Sequence, residues 1–152
     1  MLELHCELGT TSISPTIADK TSRYILANGL CGNLAQAILE HDPLREVYFV
    51  TYDCLNENDL LEASKTSEDF HLKTTHVVIK STDDSFLDSY GSNSREEIEE
   101  FYSGKLIKGN HSMLREFYIT EAFEDDKDCY RILAKSVLDS EKSGINYSHH
   151  DL

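Results

Sequence analysis

The sequence contains no tryptophan, only two prolines, and no apolar run near the roughly 18–20 residues that a membrane-crossing helix needs. The first residues, Met1 to Glu7, lack a basic stretch followed by an apolar one, so no export signal is read there and a cytoplasmic location is expected. Basic residues are scarce. Lys and Arg number 14 against 28 Asp and Glu, a net charge of −14, which repels a phosphate backbone and argues against nucleic-acid binding. The same charge suits a basic protein partner. The four cysteines (Cys6, Cys31, Cys54, Cys129) are widely spaced and form no C-x-x-C pair, so free thiols are expected rather than a disulfide framework or a structural zinc site. Neither a phosphate-binding glycine loop nor a dinucleotide fingerprint occurs, and no cofactor or metal is expected.

What is present suffices for one domain spanning residues 1–152: 39% hydrophobic and 28% charged residues. Alternating apolar residues at 2, 4 and 6 predict a first strand over 2–8, followed by a loop over 9–14. Ser14-Pro15 reads as the start of a helix that Asn28-Gly29 ends. A second helix begins at Leu30 or Cys31 and stops before Pro43, with Cys31, Leu34, Ala35 and Ile38 on one face. Val47 to Tyr52 is a nearly continuous apolar strand. A short helix over 56–65 and a loop over 66–73 precede a hairpin, strands 75–80 and 85–90 around Thr82-Asp83-Asp84. Ser94 and Glu97 form a capping box ahead of another helix. A strand over 116–122 and a helix over 124–142, with Cys129, Ile132, Leu133 and Val137 on one face, complete an α+β pattern with a mostly antiparallel sheet. Residues 145–152, with His149-His150-Asp151, read as a flexible, solvated tail.

One combination points to chemistry. A thiol nucleophile needs an imidazole to take its proton and a group to orient that imidazole. Cys31 sits where unsatisfied amides and the positive end of a helix dipole favour an anion, and Gly32 beside it leaves room for a substrate backbone. A structural role competes with this, since a free cysteine on an apolar helix face is commonplace in cores. His76 opens an apolar strand and Asp88 interrupts the facing one. A three-residue turn at Thr82-Asp83-Asp84 sets Ser81 against Ser85 and Val78 against Asp88, which makes His76 and Asp88 diagonal neighbours on one face. A two-residue turn would separate them.

The stretch Asn28-Gly29-Leu30-Cys31-Gly32-Asn33-Leu34-Ala35, then His76-Val77-Val78-Ile79, then Phe86-Leu87-Asp88-Ser89-Tyr90-Gly91, resembles the papain-like fold superfamily, above all its compact toxin, deamidase and transglutaminase-like domains. The resemblance implies an α+β papain-like core over about 26–122, N-terminal helices packed on the sheet, and Cys31 as nucleophile. It implies His76 as base and acid, and Asp88 as the carboxylate that orients it. No glutamine shortly precedes Cys31, which leaves the oxyanion donor open, with Asn28 the candidate beside the Cys31 amide. The expected activity is thiol-dependent hydrolysis or acyl transfer at an amide of a protein or peptide. The competing expectation is a non-catalytic acidic binding protein, such as an inhibitor, an immunity protein or a mimic of nucleic-acid charge.

Overall fold

The computed structural model describes residues 1–7 and 9–149. Strands β1 (Leu2–Cys6) and β2 (Gly9–Ile13) form an antiparallel hairpin. Helices α1 (Lys20–Ala27) and α2 (Cys31–His41) lead into β3 (Val47–Thr51). The short helices α3 (Glu57–Ala63) and α4 (Ser67–Lys73) precede β4 (Thr74–Lys80), β5 (Ser85–Asp88) and β6 (Gly91–Ser94). Helix α5 (Arg95–Tyr102), β7 (Lys105–Lys108), α6 (His111–Phe117), a 3-10 turn at Glu121–Phe123 and α7 (Lys127–Ser143) follow.

The fold is α+β. Five strands make one antiparallel sheet in the order β6-β5-β4-β3-β7. Its central strands are buried on both faces, which explains the uninterrupted apolar runs in β3 and β4. On one face Val77 and Ile79 of β4 pack with Leu34 and Ile38 of α2 and with Leu133 and Val137 of α7. On the other, Val50, Val78, Phe86 and Leu106 pack with Ile98 of α5. The capping box holds: Ser94 Oγ accepts from the Glu97 amide, and the Glu97 carboxylate accepts from the Ser94 amide.

Several sequence expectations are corrected. Residues 9–13 are a strand, because polar Gly9-Thr10-Thr11-Ser12 faces outward on a two-stranded ribbon and carries no apolar alternation. Helix α1 starts at Lys20, where Asp19 accepts from the Ser22 amide at 2.9 Å, rather than at Pro15. Residues 67–73 form α4, capped by Thr66, with Phe70 wedged between Phe49 and Phe117 at 5.3 and 4.2 Å. The expected strand over 116–122 is the end of α6 and an irregular turn. Asn110, whose side chain accepts from the Met113 amide, starts that helix. On α7 the buried stripe is Tyr130, Leu133, Ala134 and Val137, whereas Ile132 is 46% exposed and Cys129 only half-buried.

Residues 145–149, expected within a flexible tail, return to the end of the sheet. Asn146 bridges Gly91 in antiparallel fashion, the Tyr147 amide donates to the Tyr90 carbonyl at 2.8 Å, and His149 is buried. The rest of that stretch, 150–152, lies outside the described residues.

Candidate active site

Helix α2 begins at Cys31, two residues after Gly29, whose φ of 97° is a turn that L side chains rarely adopt. Leu30 provides no side-chain cap, and the first helical bond runs from the Leu34 amide to the Leu30 carbonyl. The amides of Cys31, Gly32 and Asn33 are therefore the ones a helix leaves without an internal acceptor. Cys31 itself is only 7% exposed.

The hairpin adopts the register of a three-residue turn: Lys80 faces Phe86, Ile79 faces Leu87, and the Ser81 amide donates to Ser85. His76 and Asp88 are thereby brought together, with Nε2 of the ring 3.0 Å from Oδ2 of the carboxylate and both side chains buried. Alternation along β4 puts His76 on the face of Val78, covered by α5, and its ring stacks on Tyr102 at 4.2 Å. Cys31 comes from the α2 face, opposite to the one on which His76 lies. They meet at the end of the sheet, where β5 stops at Asp88 and Cys31 borders a crevice with Val77, Leu87, Asp88 and Ser89.

The electrostatics tie the three together. Burial works against a charged His76. The charge of Cys31, the hydrogen bond to Asp88 and the charge of Asp88 outweigh it, and the imidazole is pushed up to about 9. With Nε2 held by Asp88, Nδ1 is buried and has no hydrogen-bond partner among the described residues. Asp88 resists the same burial because three donors serve it: His76 Nε2 and His149 Nε2 (2.9 Å) on Oδ2, and the Tyr90 amide (2.8 Å) on Oδ1. Its carboxyl lies well below the usual range, with the charge of His149 and the hydrogen bonds to both imidazoles overcoming desolvation.

Asn28 is not placed as an oxyanion donor. It is exposed at the end of α1, and its side-chain nitrogen donates to the Tyr24 carbonyl at 2.7 Å. Gly32 serves the chain's own packing rather than a substrate: a Cβ there would overlap the Tyr118 backbone, which crosses the helix tip. That crossing is fastened by Asn33, which accepts from the Thr120 amide at 3.0 Å and donates to the Thr120 hydroxyl at 2.8 Å. Beside it opens a cleft of ≈ 620 Å³ lined by His5–Glu7, Asn28–Leu30 and Thr120–Ala122.

Three participants escaped the sequence reading. Tyr102 stacks on His76 and carries a buried hydroxyl with no partner among the described residues, its pKa raised by desolvation and then by the charges of Asp88 and Cys31. His149 is the second imidazole on Asp88. His5, which shows no partner in the sequence, pairs with Asp126 (Nδ1 to Oδ1, 2.8 Å) on the cleft wall. The aromatic at the end of the capped helix α5 was the available signal for Tyr102. The other two contacts span 61 and 121 residues and leave no local pattern.

No protein-family model, curated protein or solved structure matches the chain.

Proposed function

We propose that this chain is a thiol-dependent hydrolase or acyltransferase of papain-like fold, acting on an amide of a protein or peptide as a cysteine peptidase or glutamine deamidase. The observation that carries the reading is the buried imidazole of His76, bound through Nε2 to Asp88, with Nδ1 unpartnered among the described residues and the ring raised by the charge of Cys31, which opens a helix without a side-chain cap. Asp88 fixes the proton on Nε2, so Nδ1 takes the thiol proton. The Cys31 sulfur adds to the carbonyl carbon, and the Cys31 amide donates to the resulting oxyanion. Collapse of that intermediate breaks the carbon–nitrogen bond while His76 returns the proton to the leaving amine or ammonia. Water, deprotonated by His76, then releases the acid and restores the thiol. The charge of −14 favours a basic protein substrate and disfavours nucleic acid.

A second reading, a non-catalytic acidic binding protein, is supported by the near-complete burial of Cys31. Incubating a cell protein extract with the wild type and with Cys31→Ala, followed by mass spectrometry of the extract, separates the two. New chain termini or glutamine-to-glutamate conversions made by the wild type alone are expected. Identical extracts after both treatments would favour the binder.

A further inference from the structure

Asp88 is shared. Its Oδ2 accepts from His76 at 3.0 Å and from His149 at 2.9 Å, and all three side chains are buried. His149 is held there by more than this bond. Its ring stacks on Tyr90 at 4.1 Å and lies 5.0 Å from the Phe101 ring and 5.6 Å from the Tyr102 ring, measured between centroids. The segment before it is fastened by the Asn146 bridge to Gly91, by the Tyr147 amide on Tyr90, and by the Arg23 guanidinium 4.2 Å over the Tyr147 ring. A buried carboxylate with one donor on an oxygen can swing about that bond. Two imidazole donors on Oδ2 and a backbone donor on Oδ1 leave it one orientation.

We propose that His149 is a positioning residue of the thiol site. By donating to Asp88 it locks the carboxylate against His76 and so fixes the orientation of that imidazole. This rests on reading Cys31, His76 and Asp88 as the reacting triad, and adds a fourth member supplied by the segment after α7. The ionisable groups around the shared carboxylate are His76, His149, Cys31, Tyr90 and Tyr102, with Arg23 beyond Tyr90.

The test is site-resolved alkylation by iodoacetamide at pH 7 on the full-length chain, in wild type, His149→Ala, His149→Phe and His149→Gln, with thermal melts showing each variant folded at the assay temperature. Phenylalanine keeps the ring on Tyr90 and removes the donor, whereas glutamine keeps a donor and removes the ring. Cys31 labelling should slow about tenfold or more in the Ala and Phe variants, the scale at which partners of a site's own groups act. Glutamine should restore it to within about threefold, as for a hydrogen bond reshaped rather than lost. Wild-type rates in both Ala and Phe, or rescue by Phe and not by Gln, would make His149 a packing residue and overturn the proposal while leaving the triad standing. A wild type that labels Cys31 no faster than His76→Ala would overturn the triad, and this proposal with it.

Discussion

Replacing His76 by glutamine keeps a donor for Asp88 and removes a titration, which turns the site's electrostatics into a stability measurement. In the folded chain the imidazole holds its proton up to about 9 against an ordinary 6.5, burial being outweighed by the charge of Cys31 and by the bond to Asp88. That interval is worth roughly 3 kcal/mol of folding free energy. Because the folded value is raised, the contribution is complete below about pH 6.5 and is lost as the pH rises through about 9. Lysines and tyrosines also titrate as the pH climbs, but they do so alike in both proteins and cancel in the difference. Urea unfolding at pH 6 and pH 10 should therefore show the wild type losing more stability than His76→Gln over that range. Cys31→Ser should shrink the wild-type loss, because the charge of Cys31 is the largest of the effects that raise His76. Parallel pH profiles for wild type and His76→Gln would refute the coupling.

Asp88→Ala strips both imidazoles and the Tyr90 amide of their acceptor and should destabilise by roughly 3–5 kcal/mol, as breaking a buried pair does, read as a lowered urea midpoint. Since the Asp88 carboxyl is depressed, the stability it supplies is present above the ordinary value near 4 and is lost only as the pH falls through its lower folded value. The wild type and the variant should converge in strong acid. Gly32→Ala, forced against the Tyr118 backbone, should cost roughly 1–3 kcal/mol by the same assay, whereas a merely roomy site for substrate would tolerate the methyl group.

The parts of the site legible in sequence were those written in local chemistry. Asn28-Gly29 ahead of a helical apolar stripe announced the helix tip that carries Cys31, and Thr82-Asp83-Asp84 announced the register that joins His76 to Asp88. The face from which Cys31 approaches was not legible, because alternation along β4 says nothing of where the tip of α2 ends relative to the strand ends. Strands β2, β6 and β7 were missed for want of period-two apolar residues: they are four or five residues long and largely polar. Phe117-Tyr118-Ile119 looks like strand but closes α6, since the Asn110 cap and the packing of Met113 and Leu114 decide the local structure. The role of His149 depends on the return of the chain to Gly91 and Tyr90, a long-range contact with no signature near the residue itself.

The central claim is that an imidazole oriented by Asp88 activates the Cys31 thiol. Cys6 is exposed and Cys31 is not, so accessibility alone favours Cys6 in any alkylation at pH 7. The most direct measurement is the ratio of iodoacetamide labelling rates, Cys31 over Cys6, in wild type and in His76→Ala. The account predicts a wild-type ratio above one, reversed in His76→Ala. A ratio below one in the wild type, unchanged by removing His76, would contradict it.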